Sequence, residues 1–149
     1  RQDASAVGYD ISDGALIVAR ENARRMGLFK RFSPVQADVF AENFMEGDGL
    51  FDVIVSNPPY VASAVIPTLS PEVRAEPVIA LDGGEDGLRF YRRLLDICPP
   101  HGKQGGYLVF EIGYDQREAV ASLCLERGLS CEFSRDFGGN DRMCVISLS

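Results

Sequence analysis

The stretch Ser56-Asn57-Pro58-Pro59-Tyr60 gathers residue types suited to holding a flat, neutral polar group. Asn57 brings a side-chain amide. Pro58 brings a carbonyl on a backbone of fixed φ, and it pushes Asn57 out of the helical region. Pro59 adds stiffness, and Tyr60 adds an aromatic plate. Together they suit a carboxamide or the edge of an amino base. The plainer reading is a rigid turn with a capping Asn and a core Tyr. The stretch follows Phe51-Asp52-Val53-Ile54-Val55, whose apolar run reads as a short buried strand. The turn is therefore expected at the carboxyl end of a strand, where open α/β sheets bind ligands. No Ser–His or Cys–His pair presents itself. The single histidine, His101, lies in a Pro-Pro-His-Gly turn.

The elements around this turn can be read in order. Ala4 to Tyr9 is a short apolar segment closed by Asp10, and it reads as a strand. Ser12 caps a helix through about Met26, with Leu16, Ala19, Ala23 and Met26 on the buried stripe and Gly27 ending it. An acid at the end of such a strand accepts ribose hydroxyls in many doubly wound folds; equally, Asp10 can serve only to start the next helix. Phe32 to Val39 is a weaker strand because of Pro34. Near its end, Asp38 can take a hydrogen bond from a nucleobase amine or act as a turn residue. Val61 to Gly84 shows no period and carries Pro67, Pro71 and Pro77, so it reads as a lid or substrate-binding loop. Arg74 and Glu76 are its candidate contacts, with a solvated charge cluster as the alternative. Asp86 is expected to cap a helix to about Cys98, with Leu88, Tyr91, Leu94, Leu95 and Cys98 on one stripe. Tyr107–Ile112 reads as a strand interrupted by Glu111, which is costly unless paired or terminal. Gln116–Arg127 reads as a helix, and Ser130–Arg135 with Met143–Leu148 as an antiparallel pair. The order β-α-β-β-loop-α-β-α-β-β implies an α/β sheet, mainly parallel, with helices on both faces and an antiparallel C-terminal pair.

Composition sets further bounds. At 149 residues the chain is expected to be one domain with a real core. Its 46% hydrophobic and 25% charged residues are ordinary for a soluble globular protein. No run approaches a membrane span, and nothing at the start resembles a signal peptide. A net charge of −7 argues against a general nucleic-acid binder. Cys98, Cys124, Cys131 and Cys144 are widely spaced without a C-x-x-C, so no metal site is expected and buried, reduced thiols in a cytoplasmic protein are. The chain starts at Arg1 rather than Met, which suggests a processed or truncated piece.

Four stretches carry a resemblance: Val55-Ser-Asn57-Pro58-Pro59-Tyr60-Val61; Arg74-Ala-Glu76-Pro77 through Ala80-Leu81, Gly83-Gly84 and Asp86-Gly87-Leu88; Phe110-Glu111-Ile112-Gly113 with Gln116; and Arg135-Asp136 with Gly139 and Asp141-Arg142. With these the chain resembles the release-factor glutamine methyltransferase family, class I enzymes that use S-adenosylmethionine. Asn-Pro-Pro-Tyr alone is shared with adenine and rRNA-guanine amino-methyltransferases; the second and third stretches favour the glutamine enzymes. The resemblance implies a Rossmann-like methyltransferase sheet and a peptide chain release factor as partner. Asn57 and the Pro58 carbonyl would hold the glutamine NH₂ of its Gly-Gly-Gln loop. Pro59, Tyr60, Arg74 and Glu76 would complete the substrate side. Asp10 would bind the cofactor's ribose and Asp38 with Val39 its adenine, Ile11 would also contact the cofactor, and Asn57 would touch the cofactor as well as the substrate. The family's Gly-rich loop after its first strand, (D/E)-x-G-x-G-x-G, does not occur in these residues. Residues 1–149 are therefore expected to be part of a catalytic domain that lacks the first strand. The alternatives are an amino-methyltransferase acting on DNA adenine or rRNA guanine, and an inactive methyltransferase-fold remnant. Residues 1–149 alone should bind S-adenosylmethionine weakly or not at all; micromolar affinity by titration calorimetry would contradict this.

Overall fold

The computed structural model describes residues 3–148, which fall into two compact units divided between Glu46 and Gly47. In the first unit, β1 (Ala6–Asp10) and β2 (Phe32–Gln36) pair in parallel, with Ala6 opposite Phe32 and Asp10 opposite Gln36. The connection is α1 (Asp13–Arg25). Its start is set by two side chains. Asp10 Oδ1 accepts from the Ser12 N–H at 2.8 Å, and Ser12 Oγ accepts from the Ala15 N–H at 3.2 Å. Its end is a Schellman turn, in which the Leu28 N–H donates to the Ala23 carbonyl at 2.7 Å and Gly27 takes φ +71°. Leu16 and Ala23 are buried as their spacing predicts, whereas Met26 is exposed. The helix stops one residue before it, so Met26 leaves the stripe. β2 ends at Gln36 rather than Val39, because a turn takes over: Asp38 Oδ1 accepts from the Phe40 N–H and the Asp38 carbonyl from the Ala41 N–H.

The second unit begins with β3 (Phe51–Ser56) and continues through α2 (Pro71–Arg74), α3 (Val78–Leu81), α4 (Arg89–Ile97), β4 (Gly102–Glu111), α5 (Arg117–Glu126), β5 (Cys131–Arg135) and β6 (Asp141–Ser147). Its strands lie in the order β3-β4-β6-β5; β3 and β4 are parallel, and the other two pairings are antiparallel. Leu108 and Phe110 of β4 alternate onto one face, joined by Cys144 and Ile146 of β6. Tyr91, Leu94 and Leu95 of α4 and Val120, Leu123 and Cys124 of α5 are buried against them, and the rings of Tyr91 and Phe110 lie 6.0 Å apart. The opposite strand face carries exposed Val53, Val55, Tyr107 and Met143.

In the second unit three expectations change. The long segment after the Asn57 turn is not featureless: a 3-10 turn at Ile66–Thr68 carries Pro67 in its first turn, α2 starts at Pro71 and α3 starts just after Pro77, and the fixed φ of proline suits a first helical turn. The fourth helix starts at Arg89 rather than at Asp86, because Gly87 takes φ +75°, which no helix accommodates. Asp86 instead accepts from the Leu88 N–H and pairs with Arg92, whose hydrogen bonds pull its carboxyl down to about 2. β4 begins at Gly102, five positions before Tyr107, with Gly105 at φ +76° and a register shift near its start. No helix among the described residues is long and apolar enough to cross a membrane.

The packing gives a contrast that urea unfolding can check. Leu108→Ala, at a fully buried position, should cost about 2–5 kcal/mol. Val55→Ala, at a position 72% exposed, should stay within about 0.5 kcal/mol of the parent.

Candidate functional site

β3 ends at Ser56, and Asn57 to Tyr60 continue without regular structure, as two adjacent prolines require. Pro58 is buried, Pro59 and Tyr60 are half-buried, and Asn57 is exposed. The turn thus presents its amide side chain to solvent from a base that is packed in place. Three sets of contacts hold that base.

The first is Gln116, at the start of α5. Its Nε2 donates to the Tyr60 carbonyl at 3.0 Å and reaches the Gly87 carbonyl at 3.3 Å. Its Oε1 accepts from the Gly113 N–H at 2.9 Å and lies 3.2 Å from the Tyr91 hydroxyl. One side-chain amide therefore links the turn, the Gly83–Gly87 segment, the end of β4 and α4. Prolines leave the turn short of donors, and Gln116 supplies one to its carbonyl.

The second set is the return of the loop. The Val61 N–H donates to the Leu81 carbonyl at 2.9 Å and the Gly83 N–H to the Val61 carbonyl at 2.8 Å; the Ser63 N–H donates to the Gly84 carbonyl at 2.9 Å. Residues 61 and 82 form a bridge that closes the 61–82 segment on itself. Asp82 Oδ1 accepts from Ser63 Oγ at 2.6 Å and from the Gly84 N–H at 2.9 Å. The glycines are required by closeness: a Cβ on Gly83 would lie 2.8 Å from Tyr60 Cα, and one on Gly87 would lie 2.5 Å from the Tyr60 oxygen.

The third set is the Tyr60 hydroxyl, which donates to Glu111 Oε1 at 3.3 Å. Glu111 is the last residue of β4, so the acid that interrupts an apolar strand is both terminal and partnered. Burial, and then the Glu111 carboxylate, raise the Tyr60 hydroxyl above its ordinary range. Burial does the same to Tyr91. Both phenols therefore stay protonated near neutral pH. Tyr60 can border a ligand and donate a hydrogen bond, but it is no base.

The other sequence-predicted residues fall as follows. Arg74 ends α2 and Glu76 lies just before α3; both are exposed. Asp10 ends β1, and Asp38 follows β2, so the two acids stand at the carboxyl ends of neighbouring parallel strands. Both are exposed, and each uses Oδ1 to accept one backbone N–H, from Ser12 and Phe40 respectively. Asp10 does start the next helix, and its second carboxylate oxygen is not needed for that. Ile11 is 47% exposed and its carbonyl accepts from Gln36 Nε2 at 3.2 Å. Val39 is half-buried. Two exposed carboxylates beside an exposed aliphatic side chain fit the hydroxyls of a ribose and the amine and face of a purine. Gln116, Glu111 and Tyr91 were not among the expected site residues. An acid inside an apolar run was the signal for Glu111; nothing in the local spacing points to Gln116 or Tyr91.

Residues 1–65 match the family described as an RMKL-like methyltransferase domain. The release factor glutamine methyltransferase of Agrobacterium fabrum is 42% identical over 145 residues, covering 96% of this chain and 49% of that protein. Its namesake from Moorella thermoacetica is 44% identical over 140 residues, covering 93% of this chain and 48% of that protein. The chain spans about half the length of the curated relatives it matches. A methyltransferase from Pyrococcus furiosus shares the fold with a TM-score of 0.71 at 18% identity, over 97% of this chain and 63% of that one.

Two outcomes are expected. Gln116→Ala strips partners from the Tyr60 and Gly87 carbonyls and should cost about 1–3 kcal/mol in urea unfolding, with faster proteolysis between residues 61 and 84. Tyrosinate absorbance, with Tyr60→Phe as the subtraction, should show Tyr60 ionising above the ordinary value of 10.0, and Glu111→Gln should bring it part of the way back. Because the folded value is the raised one, this contribution to stability is complete below the ordinary tyrosine range and disappears as pH climbs through the folded value.

Proposed function

The chain belongs, over nearly all of its 149 residues, to the release factor glutamine methyltransferases, and on that premise we propose that it forms part of the catalytic domain of an enzyme that methylates the side-chain amide nitrogen of a glutamine in a peptide chain release factor, acting in the cytoplasm. The observation that carries the reading is the Asn57 turn: an exposed amide on a base fixed by Pro58, Gln116 and the Tyr60–Glu111 contact.

The roles follow from what each group can do. An amide nitrogen is a poor nucleophile because its lone pair is delocalised. The Asn57 side-chain oxygen and the Pro58 carbonyl accept the two hydrogens of the substrate NH₂. Two acceptors fix the direction of that nitrogen and favour positive charge growing on it. Tyr60 borders the amide plane as a neutral phenol, and Pro59 keeps the turn from relaxing. Arg74 and Glu76, exposed on the loop that closes over residues 61–82, contact the protein substrate. S-adenosylmethionine, when bound, supplies a methyl group on a sulfonium, an electrophile that needs no further activation. Asp10 would hold its ribose and Asp38 with Val39 its adenine, and Ile11 and Asn57 are further residues that would contact it. Alignment of such a pair contributes roughly 7–11 kcal/mol to rate in well-ordered cases, without any covalent protein intermediate. The substrate is a glutamine loop of the Gly-Gly-Gln kind, small enough at its glycines to reach a turn at a strand end.

Asn57→Ala, in an enzyme carrying these residues, should abolish transfer to the release factor while leaving S-adenosylmethionine affinity nearly unchanged by calorimetry. A loss of affinity as large as the loss of rate would make Asn57 a structural residue and remove the role given to it.

A further inference from the structure

Three of the four cysteines, widely separated in sequence, converge in the second unit. Cys124 lies in α5, Cys131 opens β5 and Cys144 lies in β6, and their sulfur atoms all fall within 4.8 Å of one another. The arrangement follows from the register. Cys131 stands opposite Ile146 and Phe133 opposite Cys144, so Cys131 and Cys144 are diagonal neighbours on one sheet face. α5 packs on that face, and the turn at Gly128, φ +68°, brings the chain back from Cys124 to Cys131.

We propose that Cys124, Cys131 and Cys144 form a three-thiolate site for a soft, thiophilic cation of the zinc, cadmium or monovalent copper class. The donor set is all sulfur, which selects such ions over magnesium, calcium or manganese. Metal–sulfur bonds of about 2.3 Å place bound sulfurs ~3.8 Å apart, so contraction of ~1 Å or less closes the set. Cys124 and Cys144 are fully buried and give the site two fixed walls, while half-buried Cys131 on the edge strand gives an entrance. Three thiolates around a divalent ion carry one net negative charge; burial and the neighbouring thiols push Cys131 and Cys144 up, so it is the bound cation that draws off their protons. Arg117 is held over the Phe133 ring, 5.0 Å from its centroid, beside the same sheet face. Binding is a simple exchange: three thiol protons leave to solvent as three metal–sulfur bonds form, with no change of oxidation state. Cys98, buried just after the last residue of α4 and pushed up to about 12 by that burial, is not one of the three.

The test is titration of the reduced chain with Cd²⁺ alone under anaerobic conditions. The expected result is one ion per chain by native mass spectrometry, a sulfur-to-metal charge-transfer band saturating at that ratio, and protection of Cys131 from maleimide. Cys131→Ser, a change at a half-buried edge position, should weaken binding at least roughly tenfold, and Cys98→Ser should leave it unchanged. Absence of the band, a band that survives Cys131→Ser, or a pair among these three cysteines recovered as a disulfide that no reductant-treated sample converts to a metal-binding form would overturn the proposal.

Discussion

Everything at the Asn57 turn depends on how a stretch with two consecutive prolines is held in place. Such a stretch lacks the N–H groups that would extend β3's ladder, so the sheet itself cannot position it. The Gln116 amide does so instead, donating to the Tyr60 and Gly87 carbonyls while its oxygen takes the Gly113 N–H. Close approach then forces glycine at 83 and 87, because a side chain at either position would strike the Tyr60 backbone. The motif at the strand end, the glycines of the following loop and the Phe110-Glu111-Ile112-Gly113 stretch with Gln116 are thus one mechanical unit. Their joint presence in a sequence has a physical cause, which is the need to hold an exposed amide still.

A second consequence is that the loop after the turn is built rather than loose. The bridge between residues 61 and 82 and the Ser63–Asp82–Gly84 hydrogen bonds tie its two ends together beside Tyr60. Between them lie three short helical turns, each with a proline at or beside its first turn. Arg74 and Glu76 are carried on that loop, both exposed. Meanwhile the fourth resembling stretch serves the scaffold: Asp136 accepts from the Asn140 N–H, Arg142 reaches the Ile112 carbonyl at 3.3 Å, and Asp141 pairs with Arg117 at 3.0 Å. These contacts fix the β5–β6 hairpin against the end of β4.

Much of this was legible in the chain. The strand before Asn57, the α1 cap at Ser12, the Gly27 ending and the antiparallel final pair follow from local rules, and the structure places them within a few residues of the sequence reading. What was not legible depends on distance in sequence. Met26 looked like a buried-stripe residue because periodicity does not say where a helix stops. The first five residues of β4 are three glycines and two polar residues, so no pattern marks them; they are strand because Gly102 pairs with Phe51 while Gly105 and Gly106 exchange backbone hydrogen bonds with Leu148. Gln116 reads as the first residue of an ordinary amphipathic helix, and only the fold brings it 56 positions back to Tyr60. The cysteines give the same lesson, since no spacing rule joins 124, 131 and 144, yet a helix and two strands do.

The central claim is that the Asn57 turn receives a glutamine amide. It is tested most directly by presenting an enzyme that carries these residues, with S-adenosylmethionine, to a release factor, a DNA duplex and an rRNA hairpin in parallel, and locating any added methyl group by mass spectrometry. The account predicts one methyl group on the side-chain nitrogen of a single glutamine in the release factor and none on either nucleic acid. A methyl group found on an adenine or guanine amine, with the release factor unmodified, would contradict it.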